Sequence, residues 1–306
     1  MKKFVAVALI CVMIFGLCAC GSTAAPTETQ SANTSSAPKE TGEKKEENAP
    51  EQKAEEKAEK PENTYAGEVI VDNDICRFEI TGVDPDALFG YTLKAVLENK
   101  SEYNLMFAWE NTSVNGVMND PLFATDVAAG KKATADICFM NGIKSADEIA
   151  FTLRVYDNDD WMKDPFIEEE YAIYPTGLSK ESIVYEEKDL SDSFVVVDNE
   201  NISFAIEETG VDSIWGYYVK VYMENKTDKN LMFAWEDVSV NGFMSDPFWA
   251  TEVAAGKKNT SDVYFFNLEE DGVTGDVSEI EFKLRVYDSD DWMASPIIEN
   301  VYVYNP

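Results

Sequence analysis

Apolar and polar residues alternate with a period of two along most of the chain after Tyr65. One stretch alternates small or polar residues with the apolar Ile149, Phe151, Leu153 and Val155. That period places the four apolar side chains on one face of a strand. Seven or eight such segments occur in each half of this region, separated by turn signals such as Asn-Gly. The pattern predicts an antiparallel β-sandwich, with a β-barrel as the main alternative.

The same region contains an internal repeat. Three motifs occur twice: NLMFAWE at 104–110 and 230–236, VAAGKK at 127–132 and 253–258, and RVYDNDDWM at 154–162 with RVYDSDDWM at 285–293. The first two pairs are offset by 126 residues and the third by 131, so the second copy has five additional residues, within 268–276. An insertion confined to one loop leaves the strands unchanged, which indicates that each copy is a complete folding unit. We expect two domains, residues 65–178 and 193–306, joined by a polar linker at 179–192.

The motifs shared by the two copies resemble a known group of domains. The run from AWE through the Asn-Gly turn, the Asp-Pro segment and AAGKK to YDxDDW is similar to immunoglobulin-like domains in lipoproteins of Gram-positive bacteria. The resemblance covers both copies and implies tandem immunoglobulin-like β-sandwiches on a lipid anchor, outside the cell. It brings no catalytic residues with it, and most of these domains have no assigned function.

The amino terminus has the features of an export signal. Lys2 and Lys3 precede an apolar run at 4–19, which is shorter than the roughly 20 residues needed to span a bilayer. The run ends in Leu-Cys-Ala-Cys, which resembles the lipobox of bacterial lipoprotein precursors. The resemblance implies that residues 1–19 are a signal peptide and that lipid on Cys20 holds the chain on the membrane. An uncleaved anchor or an ordinary secretory signal is the alternative, and either would also export the chain.

Residues 20–64 consist mostly of Ser, Thr, Ala, Pro, Glu and Lys. Such a segment buries too little apolar surface to offset the entropy that ordering would cost. We expect a lipid-anchored disordered linker that spans on the order of 40 Å as a flexible coil. A linker of this kind would hold the two copies away from the membrane surface.

Charge narrows the range of partners. The chain has 58 acidic and 25 basic residues, a net charge of −33. An acidic surface repels nucleic acid and anionic lipid and attracts cations, basic peptides and basic proteins. The alternative is that the acidity only keeps a surface protein soluble.

Catalytic chemistry is restricted by the absence of histidine from the whole sequence. This excludes histidine-dependent triads, His-ligated zinc and a histidine pH switch. There is no GxSxG elbow and no dinucleotide fingerprint, and no pair of carboxylates stands out as a glycosidase site. We therefore expect a protein that is not an enzyme and that has no cofactor apart from a candidate calcium site.

That candidate calcium site lies in two acidic loops, one in each copy. The carboxylates are Asp157, Asp159 and Asp160 in the first copy and Asp288, Asp290 and Asp291 in the second. Carboxylates at alternating positions can bind calcium, although the glycine and the distal glutamate of an EF-hand loop are missing. The alternative is a solvated turn in which the following tryptophan, Trp161 or Trp292, folds back onto the core. The same tryptophans could instead offer an aromatic surface to a glycan or a peptide.

A second candidate surface is the Asp-Pro segment, with Phe123 in the first copy and Phe248 and Trp249 in the second. Apolar residues in a loop predict either a lid on the sandwich or an exposed recognition patch. Of the remaining cysteines, Cys76 faces the core by strand parity and Cys138 faces outward, so two free thiols are expected more than a disulfide.

Two classes of function remain. The first is a non-catalytic binding or adhesion module on the extracellular face of the membrane, whose ligand is a cell-wall component, a peptide or another protein. The second is a structural or accessory envelope lipoprotein without a small-ligand pocket. Tandem domains favour the first class because a second binding unit raises the effective concentration of the ligand.

Overall fold

A computed structural model describes residues 65–140, 142–291 and 293–306. The described residues lie within one compact unit. The predicted signal peptide, the linker at 20–64, the lipidated Cys20 and the side chain of Trp292 lie outside the described residues. Within the described residues, no helix is long and apolar enough to cross a membrane.

The described part of the first copy contains nine strands. They are β1 (Glu68–Asp72), β2 (Cys76–Asp84), β3 (Tyr91–Asn99), β4 (Leu105–Val114), β5 (Val117–Met118), β6 (Ala124–Val127), β7 (Lys132–Phe139), β8 (Ile149–Asp157) and β9 (Ile167–Ile173). The only helical turn in the described residues is a 3-10 turn at Lys180–Ser182, within the linker between the copies.

The second copy repeats this order of strands. They are β10 (Phe194–Asp198), β11 (Ile202–Asp212), β12 (Gly216–Asn225), β13 (Leu231–Val240), β14 (Phe243–Met244), β15 (Ala250–Val253), β16 (Lys258–Phe265), β17 (Ile280–Asp288) and β18 (Ile298–Tyr304). Each described copy therefore has nine strands rather than seven or eight. The two-residue strands β5 and β14 are too short to leave an alternating pattern in the sequence.

The strands form two layers in each copy. In the first copy, one sheet has the order β1-β2-β3-β7, and β4 pairs with β5, β6 and β8, which in turn pairs with β9. The second copy has the same arrangement, with β10-β11-β12-β16 in one layer and β13, β14, β15, β17 and β18 in the other. Every pairing between the described strands is antiparallel except that of β5 with β16. The prediction of antiparallel β-structure in sandwich-like sheets is confirmed.

The core of each copy lies between its two layers. Phe78 on β2 stacks on Phe107 on β4 at 6.5 Å between ring centroids, and Phe204 stacks on Phe233 at 6.2 Å in the second copy. The predicted inward residues Ile149, Phe151, Leu153 and Val155 are all buried. Their alternation with half-exposed neighbours along β8 confirms the period of two as the signal for this strand.

The Asn-Gly pairs form the predicted tight hairpins between β4 and β5 and between β13 and β14. Both residues of each pair are left-handed, with φ of 51° and 80° at Asn115 and Gly116 and of 50° and 79° at Asn241 and Gly242. Consecutive left-handed residues are typical of the type I′ turn, whose twist matches that of the flanking strands. The side-chain oxygen of Asn115 also accepts hydrogen bonds from the backbone N–H groups of Asp147 and Glu148 at 2.8 and 3.1 Å.

The inserted loop of the second copy packs against that copy's own hairpin. Val273 is 3 % exposed and anchors the loop in the core. The Ser245 hydroxyl donates to the Asp271 carboxylate at 2.5 Å, and the Phe243 ring lies against Gly272. The insertion therefore adds local contacts and leaves the nine strands of the copy in place.

The two described cysteines are free thiols. Cys76 is fully buried, and burial raises the pKa of its thiol to about 11. Cys138 lies on the outer face of β7, where its sulfur accepts a hydrogen bond from the Thr92 hydroxyl at 3.7 Å. The side chains point to opposite faces of their sheet, in agreement with the parity of the sequence.

Candidate functional site

The acidic loops use their carboxylates in local contacts. In the first copy, the Asp157 side chain is nearly buried and accepts hydrogen bonds from the Asp159 backbone N–H at 3.0 Å and from the Lys163 ammonium at 3.5 Å. Asp160 pairs with the same lysine at 3.0 Å, and Asp159 accepts from the Asn104 amide at 2.8 Å.

The corresponding loop of the second copy is arranged in a similar way. Asp288 pairs with Lys229 at 2.6 Å, and its other oxygen accepts from the Asp290 backbone N–H at 3.0 Å. The hydrogen bond from Lys229 holds the pKa of Asp288 below its usual value. No group of three or more acidic, histidine or cysteine side chains in the described part of the chain is placed to hold a metal ion. Lysines or backbone N–H groups contact Asp157, Asp160 and Asp288, and calcium binding by the two loops stays a prediction.

The tryptophan of the first acidic loop does not fold back onto the core. Trp161 is 68 % exposed and Met162 is 81 % exposed. The alternative of a core-closing tryptophan is therefore wrong for this loop, and Trp161 remains available to a ligand. Its counterpart Trp292 lies outside the described residues.

The Asp-Pro segments act mainly as lids. Phe123 is 8 % exposed and packs edge-on against Trp109 at 5.7 Å between ring centroids. In the second copy, Trp249 is half-buried against Trp235 at 5.9 Å, and its indole N–H donates to the Ser261 hydroxyl at 3.0 Å. These contacts contradict the assignment of Phe123 and Trp249 to a recognition patch, because their rings fill the edge of the core. Phe248, by contrast, is 83 % exposed.

A cluster of aromatic rings that the sequence analysis missed lies on the outer face of the second copy. It consists of Trp215, Tyr218, Tyr264 and Phe266, and we call it the aromatic platform. The Trp215 ring lies 6.3 Å from that of Tyr264 and 5.9 Å from that of Phe266, and the rings of Tyr218 and Tyr264 are 6.2 Å apart. Such distances are typical of interacting aromatic pairs. Trp215 and Phe266 are 51 % and 56 % exposed, so the platform faces solvent.

The local structure explains how these rings come together. Tyr218 on β12 and Tyr264 on β16 are paired directly across the two strands. Gly210 on β11 leaves room for the Tyr218 ring, because a Cβ at that position would lie 2.6 Å from the Tyr218 hydroxyl oxygen. The left-handed Gly216, with φ of 83°, turns the chain so that Trp215 reaches the edge of the same face.

Carboxylates lie beside the platform. The Asp212 side chain accepts hydrogen bonds from the backbone N–H groups of Trp215 at 2.8 Å and Ile214 at 2.7 Å, and these bonds hold the pKa of Asp212 below its usual value. Asp262 accepts from the Tyr264 hydroxyl at 3.2 Å. Both carboxylates stand next to exposed aromatic rings. Ile214, at 79 % exposed, extends the apolar surface.

The first copy has a weaker version of this surface. At the positions equivalent to the platform it carries Phe89, Thr92, Cys138 and Met140. Only one of these side chains is aromatic, so the face offers no continuous set of rings. Tyr218 and Tyr264 were both outward-facing by strand parity, but the sequence did not reveal that β12 and β16 are neighbours.

A buried group of polar side chains lies where the two copies meet. Glu148 is 3 % exposed and accepts hydrogen bonds from the Tyr185 hydroxyl at 2.6 Å and the Lys257 ammonium at 3.3 Å. These three residues lie along a cleft of about 540 Å³. Tyr185 belongs to the predicted polar linker, so that segment takes part in a specific contact where the two copies meet.

A second cleft between the copies, of about 600 Å³, is strongly acidic. Its carboxylates are Glu110, Asp120, Glu168, Glu252 and Asp290. Arg154 pairs with Glu110 at 3.0 Å and contacts Glu168 at 3.9 Å, which offsets part of this charge. The cleft adds to the negative potential of the surface, and we assign it no ligand of its own.

Comparison with known proteins identifies no family. No protein-family model and no curated protein sequence matches the chain. Among solved structures, the chain is similar to a Salmonella enterica SafA pilin in complex with the SafB chaperone, at 12% identity, a TM-score of 0.20, and coverage of 70% of this chain and 89% of that one. The YadV chaperone matches at 11% identity and a TM-score of 0.20, covering 70% and 92% of the two chains.

A third structure is the CsuC–CsuE chaperone and tip adhesion subunit complex from Acinetobacter baumannii. It matches at 13% identity and a TM-score of 0.19, and the match covers 69% of this chain and 90% of that one. TM-scores this low carry no argument about fold family or function. The function must therefore be inferred from the residues of this chain.

Proposed function

We propose that this protein is a lipid-anchored, non-catalytic binding module on the extracellular face of the cell membrane, in which two tandem immunoglobulin-like sandwiches are held out by the linker at 20–64. Its aromatic platform binds a basic peptide segment of another envelope protein. The observation that carries the proposal is the set of four exposed or half-exposed rings beside the carboxylates of Asp212 and Asp262 in the second copy. Lipid on Cys20, the signal peptide at 1–19 and a Gram-positive host are parts of the same proposal.

The chemistry of the platform favours a basic partner with apolar residues. Aromatic faces attract lysine and arginine by cation–π interactions worth about 0.5–2 kcal/mol each, and the flat ring surfaces bury aliphatic side chains. Asp212 and Asp262 can pair with the same cations. The net charge of −33 would speed the encounter with a basic protein and slow that with an acidic one.

Binding can be tested with residues 59–306, which contain every described strand and both cores. The probe is a fluorescent peptide of alternating lysine and leucine, compared with a peptide of alternating glutamate and leucine. We expect binding of the basic peptide only, with an affinity that falls between 50 mM and 500 mM salt because screening weakens charge attraction.

Variants locate the site. The double variant Trp215→Ala, Phe266→Ala is expected to lose at least about tenfold in affinity, because two stacking surfaces are removed. The matched control is Phe89→Ala, Met140→Ala at the equivalent positions of the first copy, which should bind as the unaltered protein does. Equal loss in both double variants, or equal binding of the acidic peptide, would refute the platform as the site. No binding of either peptide would favour the accessory lipoprotein over the binding module.

Anchoring is tested separately. In a Gram-positive host, the full chain should partition into the detergent phase of a Triton X-114 extract, and Cys20→Ala should move it to the aqueous phase or leave it as an uncleaved precursor. Unchanged partitioning and size in the Cys20→Ala variant would count against the lipid anchor.

A further inference from the structure

One face of the first copy already binds the second copy by strand pairing. At the hairpin of the first copy, the carbonyl oxygen of Gly116 accepts a hydrogen bond from the backbone N–H of Lys258 at 2.9 Å. Val117 and Lys258 form the parallel bridge between β5 and β16. Met118 packs against the core cluster of the second copy. We call the hairpin at 115–118 the donor, because it adds a strand, and the start of β16 at 257–258 the acceptor, because its sheet edge receives that strand; the two names do not refer to hydrogen-bond direction.

Because the chain is duplicated, each half of this interface occurs a second time. The second donor is the hairpin of the second copy, with Gly242, Phe243 and Met244 at the positions of Gly116, Val117 and Met118. The second acceptor is the start of β7, with Lys131 and Lys132 at the positions of Lys257 and Lys258. Neither of these two elements is paired with a strand of the other copy.

The backbone of the second acceptor points in the direction that pairing requires. The carbonyl oxygen of Lys131 accepts a hydrogen bond from the Asn99 N–H at 2.8 Å, on the side of β3. The C=O and N–H of one trans peptide unit point in opposite directions, so the N–H of Lys132 points away from β3 to the edge of the sheet. The same geometry holds at Lys257 and Lys258, whose outward N–H binds Gly116.

The side chains around both unpaired elements are exposed. Met244 is 66 % exposed and Phe243 is 48 % exposed, and the Lys132 side chain is 66 % exposed. The inserted loop contacts the Phe243 ring through Gly272 and leaves Met244 open. Exposed apolar side chains on a short hairpin next to an open sheet edge are the components of β-strand addition.

Charge complementarity supports the same pairing. Within the chain, Glu148 beside the donor pairs with Lys257 of the acceptor at 3.3 Å. The equivalent residues are Glu279 beside the second donor and Lys131 of the second acceptor, and both are exposed. Bringing the two elements together would therefore place a carboxylate opposite an ammonium, as it does inside the chain.

We propose that the second donor of one molecule binds the second acceptor of another, so that this protein associates head to tail with copies of itself. The interface is heterologous, and repeated use of it generates a linear array rather than a closed dimer. It lacks the contact that Tyr185 supplies inside the chain, and the net charge of −33 opposes it, so the association is weaker than that between the two copies of one molecule.

Sedimentation equilibrium of residues 59–306 in 0.3 M salt tests the proposal. The weight-average mass is expected to rise with concentration between about 0.05 and 1 mM, as for an affinity in the range of weak transient interfaces. Met244→Asp places a charge on the hairpin that acts as the second donor. Lys132→Pro removes the backbone N–H of the strand that acts as the second acceptor, at an edge position that tolerates proline. Each variant alone should remain monomeric, whereas the control Met162→Asp, at another exposed methionine, should associate as the unaltered protein does.

Mixing the two monomeric variants gives the decisive result. The Met244→Asp chain keeps its acceptor and the Lys132→Pro chain keeps its donor, so an equimolar mixture should form one-to-one dimers and nothing larger. A monomeric unaltered protein up to 1 mM would overturn the proposal. So would association that survives both substitutions, or a mixture that stays monomeric while both variants unfold cooperatively like the parent. A variant that fails to unfold cooperatively is replaced by Met244→Lys or Lys132→N-methylalanine made by ligation, with the same expectations.

Discussion

Glu148 and Glu279 occupy equivalent positions in the two copies but have opposite environments. Glu148 is 3 % exposed, held between the linker hydroxyl of Tyr185 and the ammonium of Lys257, whereas Glu279 is exposed. Lys257 is likewise half-buried, while its counterpart Lys131 is exposed. The local sequence around each pair is similar, so the difference comes from which surface lies against it. Equivalent positions of a duplicated sequence therefore acquire distinct environments, because each copy has different neighbours.

The outer faces of the two copies differ for another reason, namely the identity of their side chains. There, the second copy has the aromatic platform, whereas the first copy has a single aromatic residue, Phe89, together with Thr92, Cys138 and Met140. This difference is written in the side chains themselves and needs no contact between copies. The contact between the copies thus differs because similar residues have different neighbours, whereas the outer faces differ because their residues differ.

The largest effect is expected where the copies are most alike, in the core. Trp109 stacks on Phe151 at 3.6 Å, and Trp235 stacks on Phe282 at 4.1 Å. Trp109→Ala and Trp235→Ala should each lower the free energy of unfolding by about 3–5 kcal/mol, because each leaves a large cavity. Urea denaturation followed by circular dichroism measures this. A difference of more than about 2 kcal/mol between the two variants would show that the cores are not equivalent.

The next largest effect on the free energy of unfolding should differ between the two copies. Glu148→Gln should cost about 2–3 kcal/mol, since it leaves the half-buried Lys257 ammonium without its carboxylate. Glu279→Gln should change the free energy of unfolding by less than about 0.5 kcal/mol, as for other exposed substitutions. The same denaturation experiment applies to both. Equal costs would mean that the contact between the copies is absent in solution.

A smaller effect, again equal in the two copies, is expected at the hairpins. Asn115→Ala and Asn241→Ala should each cost about 1–2 kcal/mol, because alanine is disfavoured at the positive φ that both positions require. Glycine at the same positions keeps the left-handed backbone and loses only the hydrogen bonds of the side-chain oxygen. The difference in melting temperature between the alanine and glycine variants therefore isolates the backbone term. If alanine and glycine cost the same, the left-handed conformation does not limit these turns.

The smallest effect concerns ion pairs at the β1 and β10 edges. Hydrogen bonds from Lys100 and Arg77 hold the pKa of Asp72 below the usual 3.8, and hydrogen bonds from Lys226 and Ser203 do the same for Asp198. A carboxyl whose pKa is lower in the folded protein contributes stability above its unfolded pKa, and this contribution is lost as the pH falls through the folded value.

The melting temperature should therefore lose these contributions below about pH 4. Asp198→Asn and Asp72→Asn should each reduce the acid-dependent loss, and 0.5 M salt should shrink the difference between variants and parent. Thermal unfolding monitored between pH 7 and pH 2 provides the measurement. A variant whose melting curve keeps the full acid dependence of the parent would show that its ion pair contributes nothing.

The sequence predicted the parts of the fold that depend on neighbours along the chain. Alternation marked the inward face of β8, and Asn115-Gly116 marked a turn between strands, because both are set by local backbone geometry. It also indicated that Cys138 faces outward. These features need no knowledge of which strands are neighbours.

The candidate site was less predictable because it depends on pairing and on placement. Tyr218 and Tyr264 are 46 residues apart and meet only because β12 pairs with β16 in one register. Phe123 was indistinguishable from Phe248 as an apolar loop residue, yet one fills the core and the other is exposed. Glu148 and Lys257 are separated by 109 residues, and their contact requires the two copies to abut in one orientation.

Gly116 carries a consequence for how this duplication can diverge. A Cβ at this position would lie 3.4 Å from the Tyr185 ring, whereas nothing lies within 4 Å of the same point at Gly242. Both glycines have a left-handed φ near 80°, which asparagine also tolerates. Descendants of this gene should therefore accept asparagine more readily at 242, where the space is open, than at 116, where the new side chain would lie against the Tyr185 ring, so that two turns with one origin drift at different rates.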